Sequence, residues 1–289
     1  MRVRVDDWPV TRRAGTAIDW DRVGLIGSAM IGVIVGVAMI AGITPLPGDA
    51  EFYWLATPGE YAVSAYVYPP VLAQLLIPLH WFDAWQIFTI GWMTLCFTSL
   101  GYVLGRWSFV AMALAIPGSF LPWMEPVTGP ISSVLMGNVT LPMVAAMVAA
   151  TRRPGLWAVP ILTKITPGVG LLWFAFRREW HALAVGLGVT LGVVAVSFAI
   201  APDAWVSFAR FAIANAGGDA NGAPIVGPPL WLRFPAAVLL VAWGARTDRP
   251  RVLPIAGALA VVGLYGWGTI TSIAVGALAT HHPRGAKGS

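Results

Sequence analysis

Val23–Gly48 reads VGLIGSAMIGVIVGVAMIAGITPLPG, a run without one charged side chain. At 1.5 Å per residue, a helix over this run is long enough to cross a hydrocarbon core of ~30 Å. Further uncharged intervals cover Ala84–Gly105, Trp107–Met124, Pro126–Thr151, Trp180–Pro202 and Val252–Pro283. So many runs of this length in one chain indicate a polytopic membrane protein. The composition agrees, with 57% of the 289 residues hydrophobic and 11% charged, against ~25% charged in an ordinary soluble domain. The fold class expected is all-α, a membrane helical bundle of about 8–10 segments that include short or re-entrant helices.

Outward from the first run, residues 1–22 carry five arginines among four aspartates. The positive-inside rule makes them a cytoplasmic N-terminal segment. That segment and the lack of a small-residue cleavage pattern argue for a retained helix over a signal peptide. The spacing of Gly24, Gly27, Gly32, Gly36 and Gly42 suits close helix packing. Residues 23–279 then form a single integral domain and 280–289 a short polar tail. The net charge of +5 resides in arginines at membrane edges, without the basic–aromatic pattern of a nucleic-acid binder. The lone Cys96 excludes an intrachain disulfide framework and a cysteine metal cluster.

The loop Thr44–Tyr68 holds Asp49, Glu51 and Glu60 and no Lys or Arg, as an extracytoplasmic loop should. Pro69–Pro70 suits the first turn of a helix, and Val71–Phe82 follows as a short apolar one. If this helix, Ala84–Leu104, Trp107–Trp123 and Leu141–Ala150 all crossed fully, Arg152–Arg153 would emerge outside. One segment is therefore expected to turn back without crossing. The same conflict recurs between Arg152–Arg153 and Arg177–Arg178, and a hairpin of two half-helices breaking near Lys164–Ile165–Thr166–Pro167 resolves it, since proline disfavours a helical residue before it. A single span with one arginine pair outside is the alternative. Trp180–Ile200 returns outward, Trp205–Ala214 is an amphipathic stretch, Leu230–Ala245 goes back to Arg246, Arg249 and Arg251, and Val252–Ala279 makes at least one last span.

Ionisable groups in or against a membrane are costly and mark functional candidates. Here they are Asp49, Glu51, Glu125, Lys164 and Arg210, with His80 and His181 behind them. Each also has a plainer reading. Asp49 and Glu51 can be a solvated turn, and Phe52, Tyr53, Trp54, Tyr66 and Tyr68 an interfacial aromatic belt. Lys164 can pair with Glu125, Arg210 can touch lipid phosphate, and Asn138 can be a helix cap.

Four segments together resemble the polyprenol-phosphate-mannose-dependent mannosyltransferases of glycosyltransferase family 87, in the GT-C class. They are Asp49-x-x-x-Tyr53-Trp54, Val67-Tyr68-Pro69-Pro70, Gly137-Asn138-Val139 before a helix ending in Arg152-Arg153, and Lys164-x-Thr166-Pro167 leading to Arg177-Arg178-x-Trp180. Ser207-Phe208-Ala209-Arg210-Phe211 adds a weaker fifth. Gly137-Asn138 stands where the family has Gly-Gln-x-Asn, and Asn221-Gly222 replaces a longer polar stretch. The resemblance implies a GT-C bundle that transfers a sugar, mannose, with inversion from a polyprenyl-phosphate donor to a glycolipid or lipid-linked glycan on the extracytoplasmic face of the plasma membrane. Asp49 is then the general base, Lys164 and Arg210 stabilise the leaving phosphate, and Glu51, Tyr53, Tyr68 and Asn138 bind substrate. No metal or cofactor is implied, and the partners are donor, acceptor and membrane lipids, with no nucleic acid. The rival class is a transporter, flippase or non-catalytic scaffold, for which a buried lysine and broken helices are equally natural.

Overall fold

The computed structural model describes residues 18–44, 48–56, 68–115, 135, 137–214 and 229–261. Glu60, Tyr66, Glu125, Asn221–Gly222, the N-terminal arginines before Arg22, the second half of Trp107–Trp123 and the last span beyond residue 261 lie outside them. The described residues form helices and no strand.

The long helix of the opening run, α1 (Trp20–Ile40), is capped by the Asp19 carboxylate, which accepts from the Arg22 amide at 3.1 Å. It buries one stripe, Gly24, Ser28, Gly32 and Gly36. A Cβ added at Gly32 would lie 2.7 Å from the Thr94 Cα, and at Gly36 2.8 Å from the Ile90 Cα. The glycines thus let α1 lie backbone to backbone against α4 (Trp85–Leu104), antiparallel to it. Beyond the stripe, Ile26, Met30, Val33, Ile34 and Val37 face outward, as lipid-facing side chains of a membrane helix do. Among the described residues three helical runs are long and apolar enough to cross a membrane, by length and composition: α1, Trp85–Met112 and Trp180–Ile200.

Between α1 and α4 lie two short helices, α2 (Gly48–Trp54) and α3 (Pro70–Trp81). Both ends of α3 rest on α2: Tyr68, just before it, meets Tyr53, and His80 in its last turn meets Trp54. The segment expected to turn back without crossing is therefore α3, and α2, α3 and the start of α4 share one end of the bundle. At the other end α4 stops at Gly105, whose φ of +55° is open to glycine at little cost. A short helix, α5 (Ser108–Ala115), then begins with the Ser108 hydroxyl 2.9 Å from that of Ser28.

α6 (Thr140–Ala150) runs beside α4 in the same direction, with Asn138 beside Cys96 and Val144 beside Val103. It leads to Arg152–Arg153 at the Gly105 end. Residues 154–176 then fold back on themselves. A 3-10 turn (Pro154–Trp157) and α7 (Ala158–Lys164) form one arm, a second 3-10 turn (Thr166–Leu171) and α8 (Leu172–Phe176) the other. A Cβ at Gly170 would meet the Trp157 indole at 2.0 Å and one at Gly168 would meet Ile161 at 2.9 Å. The two contacts are nested about Lys164 and Ile165, so the arms run antiparallel and Lys164 sits at the bend. The expected hairpin is present, and its break falls at the residues before Pro167.

α9 (Trp180–Ile200) runs back toward the α2 end, where the Ser197 carbonyl accepts from Gln74 of α3 at 3.0 Å. α10 (Pro202–Ala214) follows it there. α11 (Leu230–Arg246) and α12 (Val252–Ala260) close the described fold as an antiparallel pair. Arg177 pairs with Glu179 at 2.6 Å and with Asp248 at 2.7 Å, so the base of the hairpin and the α11–α12 turn meet. The arginines at 106, 152, 153, 177, 178, 246, 249 and 251 accordingly collect at one end of the bundle, and Asp49 stands at the other.

Candidate active site

The site begins with the pattern of α2. Ala50 and Tyr53 are buried and Asp49 is half-buried, whereas Glu51 and Phe52 are exposed. The two acids are two residues apart, roughly half a turn of helix, so Asp49 faces the bundle and Glu51 faces away. The structure does not bring Glu51 to the group around Asp49.

What meets Asp49 is Asn138. Gly137 has a φ of +71°, and its carbonyl accepts from the Trp92 indole N–H at 2.6 Å, which fixes the turn against α4. Asn138 then uses both ends of its amide. Its Oδ1 accepts from the Thr140 backbone N–H at 2.9 Å and from the Thr140 hydroxyl, and its Nδ2 donates to Asp49 Oδ2 at 2.6 Å. The cap reading and the site reading of this residue hold together, because the helix start takes the carbonyl and the carboxylate takes the amino group. Asp49 Oδ1 has no hydrogen bond among the described residues.

Tyr53 ties the same pieces from below. Its hydroxyl accepts from the Val139 N–H at 3.2 Å and lies 3.3 Å from the Tyr68 hydroxyl. Its ring stands edge-on to Tyr68 and to Trp92, with both pairs of centroids 5.3 Å apart. Only 1% of Tyr53 is exposed, so it positions α2, Tyr68 and the Asn138 turn from inside the core. Tyr68 in turn carries Lys164: the ammonium lies 5.9 Å from the Tyr68 ring centroid, within cation–π range. Four separate pieces of chain (α2, the residue before α3, the turn before α6 and the hairpin bend) thus converge here.

Burial raises the pKa of the Asp49 carboxyl above its ordinary value, opposed by the Asn138 hydrogen bond and the positive charge of Lys164. The Tyr53 phenol is pushed well up, mainly by burial, and stays protonated. The result is a carboxylate with one oxygen clamped by Asn138 and one open, close enough to Lys164 to feel its charge.

Arg210 stands apart. Phe208 and Ala204 form the buried side of α10, and Arg210, two residues beyond Phe208, is exposed. His80 lies against Trp54, centroids 4.0 Å apart, and His181 is exposed beside the arginine end. Among the described residues no three His, Cys, Asp or Glu side chains are placed to hold a metal.

Sequence reasoning missed Trp92 and Thr140, which orient Asn138; nothing distinguishes them from other residues of apolar helices. It also passed over Arg233, 4% exposed, whose guanidinium donates to the Leu259 and Val261 carbonyls at 3.0 and 2.8 Å and so closes the end of α12. A lone charge inside the apolar stretch LWLRFPAAVLL was its signal.

Compared with known families, residues 66–285 match the model described as Glycosyltransferase family 87, about three quarters of the chain. Tyr68, Asn138, Lys164 and Arg210 fall inside that match, and Asp49 and Tyr53 precede it. No curated protein and no solved structure matches the chain.

Proposed function

Because the chain belongs to glycosyltransferase family 87 and is a helical membrane glycosyltransferase, we propose that it moves a mannosyl unit from a polyprenyl-phosphate donor to a glycolipid or lipid-linked glycan on the extracytoplasmic face of the plasma membrane. The observation that carries this reading is the meeting of Asp49, Asn138, Tyr68 and Lys164 at the end of the bundle opposite the arginines. By the positive-inside rule the arginine end is cytoplasmic, which leaves Asp49 on the outer side, where a lipid-linked donor can present its headgroup.

In this scheme the acceptor hydroxyl gives its proton to the open oxygen of Asp49. Its oxygen forms a bond to the anomeric carbon as the bond from that carbon to the phosphate oxygen breaks, and the electron pair leaves with the polyprenyl phosphate. The attack comes from the face opposite the leaving group and inverts the anomeric centre. A phosphate leaves as a stable anion, so no acid is needed on that side, in contrast to glycoside hydrolysis. Growing negative charge calls instead for a fixed cation, and Lys164 supplies it. Asn138 holds the base, and Tyr68 holds Lys164 and lines the sugar. Arg210, exposed on α10, is left as a contact for the donor's phosphate or for lipid at the rim.

The test is transfer from radiolabelled polyprenyl-phosphate-mannose to membrane lipids, with the intact protein and Asp49→Asn at matched expression. A labelled glycolipid made by the first and lost with the second is the expected outcome. Label that persists undiminished with Asn at this position would remove Asp49 from the role of base.

A further inference from the structure

Beside the site, on the other flank of α2, lies a cleft of about 430 Å³ lined by Trp54, Leu55, Ala73, Ile77, His80 and Trp81. Its size falls within the range of small-molecule sites. Trp54 forms a rigid floor. Its ring is backed by Trp85 at 5.5 Å and Phe88 at 5.4 Å and flanked by His80 at 4.0 Å, tilted 33°. Trp81 is 74% exposed. None of the ring nitrogens of Trp54, His80 and Trp81 is hydrogen-bonded among the described residues. Three rings thus bound one concavity.

We propose that this cleft is a saccharide subsite, which binds a pyranose ring of the acceptor glycan one unit or more away from the hydroxyl that reacts. The inference rests on the glycosyltransferase reading and adds to it the part of the acceptor that is recognised. A pyranose presents C–H groups on its faces and hydroxyls around its edge, matching the open Trp81 indole and the ring nitrogens of the cleft in one place. A prenyl or acyl chain would cover the faces and leave the ring nitrogens without partners. The cleft is joined to the site by α2, since Asp49 lies in the first turn of that helix and Trp54 ends it. Five residues separate them, ~7.5 Å along a helix axis, a distance that a short glycan spans.

The test uses the full chain in lipid nanodiscs, an octyl dimannoside as acceptor probe and farnesol, an isoprenoid without phosphate, as competitor. Trp81→Ala should raise the acceptor KM about three- to tenfold, the range of one lost aromatic contact, with donor KM little changed. Trp81→Phe should restore most of the loss, as it keeps the stacking face. In saturation-transfer NMR the dimannoside C–H protons should receive magnetisation from both the parent and Asp49→Asn, and lose it with Trp81→Ala. Unchanged acceptor KM in Trp81→Ala and His80→Ala, with transfer intact, overturns the subsite and leaves the glycosyltransferase reading standing. Displacement of the dimannoside by farnesol overturns it in favour of a lipid groove. Saccharide binding that depends on Trp81, in a protein that transfers no sugar from any donor tried, supports the subsite and counts against the proposed reaction.

Discussion

Asp49 is held by opposing influences, and its titration should report them. Burial pushes its pKa up, while Asn138 and Lys164 push it down. A general base works only when deprotonated, so the rate falls as pH drops through its pKa. The acid limb of the kcat/KM profile should therefore lie above the range of an ordinary carboxylate. Asn138→Ala removes an influence that lowers the pKa and should move that limb to higher pH. Lys164→Met should move it the same way and, by removing the cation that meets the leaving phosphate, cost ~10²–10³ in kcat. A pH–rate series on the three proteins checks both signs; a limb that stays in place with Asn138→Ala would mean that its hydrogen bond does not tune the base. The sequence exposed Asp49, Tyr68 and Lys164 as candidates, because charge and aromatics near a membrane stand out by cost. Charge alone could not separate Asp49 from Glu51, since two acids two residues apart look alike until the helix face is known; only the resemblance gave them different roles.

At the scale of the elements, α1 and α4 are joined through backbone contact at Gly32 and Gly36, where a Cβ would lie 2.7 and 2.8 Å from main-chain atoms of α4. Those atoms cannot swing aside as a side-chain end would. Gly32→Leu or Gly36→Val should force the helices apart and destabilise the protein by ~1–3 kcal/mol. Thermal unfolding in detergent measures this, with Gly192→Ala on α9, where nothing lies within 4 Å of the added Cβ, as the neutral control. The glycine spacing was legible in the sequence as close packing, but its partner was not. Likewise the arginine pairs at 152–153 and 177–178 left a hairpin or a single span with one pair outside, and the nesting of Trp157 on Gly170 and of Ile161 on Gly168, a matter of side-chain size across a bend, selects the hairpin.

At the scale of the whole molecule, the arginines gather at one end and the Asp49 group at the other. With Cys96 buried and replaced by Ala, single cysteines at Arg152, Arg178 and Ile165 should label by side in sealed vesicles. An impermeant maleimide should reach positions 152 and 178 from the same side, and Ile165→Cys, at the 51%-exposed bend, should not label from that side. Labelling of 152 and 178 from opposite sides would mean that residues 154–176 cross the membrane once.

The sequence by itself determined that this is a helical membrane protein with most of its charge at membrane edges, and it pointed to one short segment and one proline-interrupted segment as places where the chain turns back. These follow from hydropathy, charge and proline, which act locally along the chain. Only the tertiary structure decided that Asn138 clamps Asp49, that Tyr53 supports the site from the core, that Glu51 and Arg210 face away from it, and that Trp54, His80 and Trp81 enclose a cleft. Those relations join residues as far apart as 49 and 164. Side-chain direction and long-range packing create them, and no local pattern encodes either.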